Sequence, residues 1–409
     1  MKRFFIILFR IISMGSKFLL MMLLAKYFST EDVGLYGLIL SFVNISVLII
    51  GLDYYTFSQQ ELSKGQEINI IISNQLILHV IMYILFFFVT FLFVNDDKIG
   101  ISYFLIVYFI LFFEHLNQEI SRYLIFYERQ LAVSLFLFLR TGVWAIIYAV
   151  YAYYFESFNL ISLFIFWLIF SLIALISSLI YLINRHKFNI SFCAINFKYI
   201  LSGISKSIYI FIAGLAFKAI FFADRFLLKD ISDINIVGVY VFYMTLVMSA
   251  LSFYEPMVIS FSYQKMLKYF NAKTYDKYKK EVKKASFQTT LFIFFLIVGF
   301  YFFIPIVLSI LDKESYISFL WIMKYIYVIM VFYVFSLFLH YLLYSIDCNK
   351  YILYSHLSSL VVFFISYIFF EFFTISNGLS VVLISICLCF IWMVISSLFY
   401  FFNKIKFIL

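Results

Sequence analysis

The sequence predicts an all-α integral membrane protein of about twelve transmembrane helices arranged as two six-helix halves. Three observations carry that reading. Apolar residues make up 66% of the 409 residues and charged residues 12%, against roughly half and a quarter in soluble domains. A soluble core has nowhere to place that much apolar surface, whereas a bilayer does. Apolar stretches of about 20 residues or more, long enough to cross the hydrocarbon, recur along the whole chain. Finally, the tetrad Val33-Gly34-Leu35-Tyr36 returns as Val237-Gly238-Val239-Tyr240, 204 positions later. A repeat at about half the chain length is what a duplicated membrane bundle leaves behind.

The apolar stretches fall at 4–25, 34–58, 68–94, 101–121, 131–155, 159–183, 202–227, 236–262, 286–310, 316–346, 350–372 and 378–402. Helix is the expected form of each, because backbone groups in lipid must bond within their own segment. The halves are therefore 1–183 and 202–409, joined by a linker at 184–201. The start, Met1-Lys2-Arg3 before an apolar run, resembles a signal peptide. Arg10 interrupts that run and no small-residue cleavage site follows, so a retained first helix is expected. With the N-terminus inside, only Lys26, Lys98, Lys229 and Lys313 fall on outer turns. Eighteen basic residues fall on inner connections, among them Lys64, Arg129, Lys198 and the run 277–284. That asymmetry predicts cytoplasmic termini.

Gln264–Ser286 is the one long polar stretch, with eight lysines. It reads as a short amphipathic helix on the inner surface, anchored by anionic lipid or gating a substrate headgroup. Cys193, Cys348, Cys387 and Cys389 show no framework for a disulfide or metal. His79, His115, His340 and His356 read as isolated, with structural roles and no metal-ligand spacing.

Eight basic residues remain inside the spans: Arg10, Lys17, Arg122, Arg140, Lys206, Lys218, Arg225 and Lys324. A charge at mid-span costs at least roughly 2.5–3.5 kcal/mol, so it must face water, a partner or a polar cavity. Arg122 and Lys206 lie near the cytoplasmic ends and are expected to snorkel. Arg10 and Lys17 are seven apart, as are Lys218 and Arg225; seven residues nearly complete two turns, so each pair shares a helix face. Each half then places one carboxylate after its tetrad, Asp53 and Glu255, and Pro256 is expected to kink its helix. Two readings follow. Either these charges form internal ion pairs, such as Asp224 with Arg225 or Glu119 with Arg122, or the halves enclose a cation-lined cavity. Glu114, Gln118 and Glu119 on the fourth helix fit packing or cavity equally.

The stretch Leu24-Ala25-Lys26 through Val33-Gly34-Leu35-Tyr36 resembles the connection from helix one to helix two of the Wzx-type polysaccharide flippases of the MOP (MATE-like) exporter superfamily. Gly51-Leu52-Asp53 and Ala223-Asp224-Arg225-Phe226-Leu227-Leu228 also fit, although Lys26 stands where Arg is commoner. The resemblance implies a MATE-like pseudo-two-fold bundle in a bacterial inner membrane. It implies a flippase, not an enzyme, moving oligosaccharide repeat units of O-antigen or capsule linked to undecaprenyl pyrophosphate. Arg10, Lys17, Lys218 and Arg225 would then hold the phosphates, with Arg140 and Lys324 in lesser roles. Asp53, Asp224, Glu255 and Glu119 would serve as counter-ions or in H+ or Na+ coupling, with no other cofactor. Membrane lipids and the polymerase and chain-length proteins of the same export route are the implied partners, and nucleic acid is not.

Other functions fit less well. A MATE-type exporter of small cations would favour acids over bases inside the spans. An O-antigen polymerase or ligase usually carries a large external loop, and the outer turns here are short. A passive scaffold has no need of matched buried charges. There is no phosphate-cradling glycine loop and no catalytic triad.

Overall fold

The computed structural model describes residues 2–95, 100–185, 195–373 and 377–406, and among them no strand occurs. Twelve helices are long and apolar enough to cross a membrane: α1 Leu8–Tyr27, α2 Thr30–Gly51, α3 Ile68–Val94, α4 Ile101–Phe126, α5 Gln130–Phe155, α6 Leu160–Asn184, α7 Phe197–Ile231, α8 Ile234–Ile259, α9 Tyr275–Leu311, α10 Glu314–Ser345, α11 Asn349–Phe373 and α12 Gly378–Asn403. Every expected stretch is matched by one of them. Leu92 and Phe88 on α3, or Phe295 and Phe302 on α9, are more than half exposed. For side chains of that chemistry the matching solvent is lipid.

The chain divides into two compact units, residues 1–23 with 38–215, and residues 24–37 with 216–409. The passage between units thus occurs within α1, within α2 and within α7. Residues 186–194 of the expected linker, Cys193 among them, lie outside the described residues, and α7 has begun by Phe197.

Gly34 and Gly238 explain the repeated tetrad, and both belong to the second unit. Ser29 starts α2 with a capping box: its hydroxyl accepts the Asp32 N–H at 3.0 Å while its own N–H reaches the Asp32 carboxylate at 3.3 Å. The α2 backbone then lies directly on α8. A Cβ on Gly34 would sit 2.5 Å from the Ile234 carbonyl, and one on Gly238 would collide with the Thr30 carbonyl. Small residues let two helices approach to backbone contact inside a membrane. Thr30 fastens the crossing by donating to Asn235 Oδ1 at 2.6 Å. Val33, Val237 and Tyr240 beside it are fully enclosed.

Gly238→Ala should therefore destabilise the protein by about 1–3 kcal/mol or more, the cost of overpacking, because a backbone carbonyl has no rotamer to move. Gly15→Ala, with open space around the added methyl, is the matched control. Thermal unfolding of the purified protein checks both, and equal melting temperatures would dismiss the close crossing.

The second helix of each half also breaks at a corresponding place. After Gly51 the backbone turns through Leu52 and Asp53, both at φ 47°. That is the left-handed region, rare for residues with a side chain, and a short helix Tyr55–Ser63 follows. In the other half α8 opens at Ser252–Phe253. A π-helical turn at Glu255–Ile259 contains Pro256, and helix Ser260–Asn271 follows. The expected kink is present.

The lysine-rich stretch is not one amphipathic helix. Lys265 and Lys268 sit on Ser260–Asn271, Lys273 turns the chain at φ 54°, and the remaining lysines occupy the start of α9. At 37 residues α9 is longer than the roughly 20 residues a bilayer core requires. Its lysine-bearing turns therefore extend beyond the hydrocarbon.

Candidate functional site

In the first unit, the break after α2 turns Asp53 toward Arg122 on α4. Arg122 Nη2 lies 3.4 Å from Asp53 Oδ1, and Nη1 donates to Glu119 Oε1 one turn earlier. Its guanidinium also covers the Tyr55 ring, 3.7 Å from the centroid. Glu119 Oε2 accepts from the Gln75 amide at 2.6 Å. The Gln75 carbonyl in turn accepts from Ser58 at 2.8 Å and from Tyr123 at 2.6 Å. Asp53 and Glu119 are 7% and 5% exposed. At that burial, carboxylates persist as ions only when paired and hydrogen-bonded. Arg122 thus does not snorkel; it joins two buried carboxylates, one from its own helix and one brought by the break.

Two histidines complete this polar centre. His115 lies one turn before Glu119, its Nε2 3.7 Å from Glu119 Oε1, and its Nδ1 is 2.6 Å from the Tyr83 hydroxyl. His79 meets it edge to face, with ring centroids 4.5 Å apart. The expectation of isolated histidines is corrected here. It fails in the second unit also, where His340 and His356 stack at 5.4 Å. Sequence distance concealed both pairs.

A second cluster in the same unit surrounds Arg140, which lies in a π-helical turn of α5 at Leu139–Val143. Such turns recur at functional sites because they re-aim a side chain. Arg140 Nη1 is 3.3 Å from Glu114 Oε2 and also donates to the Glu114 carbonyl at 3.2 Å. Trp167 Nε1 donates to Glu114 Oε1 at 2.9 Å and stacks on Trp144. Lys17 on α1 is exposed and within electrostatic reach of Arg140 and Glu114. Arg10, two turns earlier on α1, is half-buried.

In the second unit Asp224 is buried, accepting the Tyr240 hydroxyl at 2.5 Å and the Arg225 N–H at 2.6 Å. Arg225 reaches the other way, donating to the Gly37 carbonyl at 2.8 Å. Lys218, two turns before it, is exposed. Lys324 is exposed beside Tyr325, 4.9 Å from the ring centroid. Glu255 is exposed and accepts from Tyr341 at 3.0 Å.

Outside the spans, Glu61 lies 2.8 Å from Lys64, and Lys206 of α7 reaches it at 3.6 Å. The Lys64 hydrogen bond above all holds the Glu61 carboxyl below its ordinary range. Lys206 therefore has a carboxylate partner, which the snorkelling expectation lacked. An open groove lies elsewhere, between α8 and α9 of the second unit, and is lined by Phe253, Met257, Leu291, Phe292 and Phe295. Its apolar walls suit hydrocarbon and not a charged headgroup.

The geometry therefore combines buried, fully bonded acids with cations left exposed at mid-span. Known proteins share its fold. The chain has a TM-score of 0.77 to a multidrug resistance MATE family transporter of the MOP superfamily in an inward-facing conformation, at 14% identity, covering 98% of this chain and 94% of that one. The score is 0.69 to the lipid II flippase MurJ in an inward closed conformation, at 17% identity, covering 96% and 87%. It is 0.65 to a MOP superfamily transporter from Pyrococcus furiosus whose binding pocket has reversed polarity, at 13% identity, covering 99% and 95%. No curated protein matches the sequence. The bundle is a MATE-like transporter fold. Residues 2–263 match the model of the polysaccharide biosynthesis protein family, and the chain belongs to that family.

Proposed function

We propose that the protein is a flippase for undecaprenyl-pyrophosphate-linked oligosaccharide repeat units of O-antigen or capsule. It moves them from the cytoplasmic to the periplasmic leaflet of a bacterial inner membrane by alternating access, with both termini cytoplasmic. The carrying observation is that Lys17 and Lys218 are exposed although each lies well inside a span. Beside the partners it already has, an exposed ammonium within a span can take water or an anionic group, and a pyrophosphate is such a group. Family membership supports a polysaccharide precursor as the cargo. The fold shared with a lipid II flippase supports a lipid-linked one.

The chemistry asked of the protein is modest. The polyprenyl tail stays in hydrocarbon, and only the phosphates and sugar hydroxyls need shielding. Arg10, Lys17 and Arg140 of the first unit and Lys218, Arg225 and Lys324 of the second are the groups we assign to the phosphates, through charge-assisted hydrogen bonds. Asp53, Glu119 and Asp224 keep the neighbouring bases in place, and with Glu255 they are the groups we assign to H+ or Na+ coupling. Polymerase and chain-length proteins would take up the delivered units.

Deleting the gene should cause one lipid-linked intermediate to accumulate, and mass spectrometry of the extracted lipid identifies it. A complete oligosaccharide on undecaprenyl pyrophosphate, held in the inner leaflet, is the expected result. Normal surface polysaccharide together with increased sensitivity to small cationic drugs would favour a MATE-type exporter instead. Accumulation of flipped but unpolymerised units would favour a polymerase.

A further inference from the structure

The first unit contains two buried histidines beside Glu119 to which headgroup transport gives no role. We infer that His79, His115 and Glu119 form a binding site for a divalent transition ion of the zinc class. The ligand atoms of the three residues lie within 4.8 Å of one another, and all three residues are buried. Each imidazole Nε2 is enclosed without a hydrogen-bond partner. Two adjacent nitrogens of that kind are an unusual expense for a protein interior.

The tautomer of His115 decides which way its lone pair points. Its Nδ1 faces the Tyr83 hydroxyl at 2.6 Å. With Nδ1–H donating to Tyr83, Nε2 presents a bare lone pair to Glu119 Oε1 at 3.7 Å. Two electron-rich atoms at that separation repel, and a cation between them reverses the sign. A hydrogen-bonded partner on the far nitrogen is the usual support for a metal-bound imidazole. His115 and Glu119 are spaced i,i+4 on α4, so they share a face, and His79 closes the third side from α3.

Two imidazoles with one carboxylate suit zinc, cobalt or iron in preference to sodium, magnesium or calcium, which take oxygen ligands. Arg122 competes for the same carboxylate oxygen. Because its Nη2 already reaches toward Asp53, a metal that takes Glu119 leaves the guanidinium with Asp53. Occupancy would thus tighten the link between α4 and the break after α2.

The test uses the full chain in detergent, purified on an affinity tag free of histidine and titrated with Co2+. One ion per chain should bind, with visible d–d absorption that added Zn2+ abolishes, and Zn2+ should raise the melting temperature. Tyr83→Phe, which keeps all three ligands, should weaken binding roughly tenfold or more. His79→Gln, His115→Gln and Glu119→Gln should each lose the spectrum, while His340→Gln should keep it. A folded wild-type protein without a cobalt spectrum overturns the site. So does a spectrum that survives in the His79→Gln, His115→Gln double variant.

Discussion

Arg122→Ala should be the most damaging single substitution outside the helix crossing, costing about 3–5 kcal/mol, the usual result of removing one partner from a buried ion pair. The guanidinium is flanked by Asp53 and Glu119, both nearly inaccessible. Without it, two carboxylates are left in the bundle with no opposite charge between them. Arg122→Lys should fall between, since an ammonium carries the charge but does not bridge two carboxylates as a planar fork does. The triple variant Arg122→Met, Asp53→Asn, Glu119→Gln should recover much of the stability, because neutral side chains of similar volume replace buried ions at little cost. Abundance in membranes and thermal unfolding of the purified protein check the series. A snorkelling arginine would tolerate alanine, and wild-type stability in Arg122→Ala would restore that view.

The helices were legible because hydrophobic length is a property of consecutive residues. Some ends coincide with the observed ones, as with 68–94 against Ile68–Val94, while others do not, as with 286–310 against Tyr275–Leu311. The repeat was legible too, and its cause is steric: Gly34 and Gly238 are the residues at which two helix backbones touch. The pairing of charges was read less well. Arg122 and Lys206 were judged by depth alone, but their partners Asp53 and Glu61 come from segments more than fifty residues away in sequence. Only Glu119, three residues before Arg122, was visible as a neighbour. The histidines failed for the same reason, with one signal overlooked: His115 and Glu119 stand four apart, which on a helix is a shared face. The lysine stretch divided because Ala272 and Lys273 end one helix and Tyr275 begins the next. Composition indicated an interface there without indicating the turn.

Lys17→Gln and Lys218→Gln should each abolish most transport while leaving the protein folded and abundant. Both side chains are exposed, so shortening them removes little packing. What is lost is a charge-assisted hydrogen bond to the phosphates, about 1.5–3 kcal/mol, or roughly ten- to hundredfold in headgroup affinity per position. Arg225→Ala should differ in kind. Its guanidinium bonds the Gly37 carbonyl at 2.8 Å, so alanine also removes that tie between α7 and α2, and stability should fall together with transport. Arg225→Lys should retain more of both, as the charge persists while the fork does not. Asp224→Asn separates counter-ion from coupling. Its partners use different oxygens, Arg225 N–H on Oδ1 and Tyr240 O–H on Oδ2; an amide oxygen keeps the first, and the amide NH2 can donate to the Tyr240 hydroxyl in the reverse sense. A counter-ion role therefore predicts a mild effect, whereas a coupling proton predicts loss of export from a stable protein. The readouts are surface polysaccharide, membrane abundance of the variant, and flipping of a fluorescent polyprenyl-pyrophosphate glycolipid in liposomes. If the Lys17→Gln, Lys218→Gln double variant, present at normal abundance, flips that lipid at the wild-type rate, these lysines do not hold the headgroup.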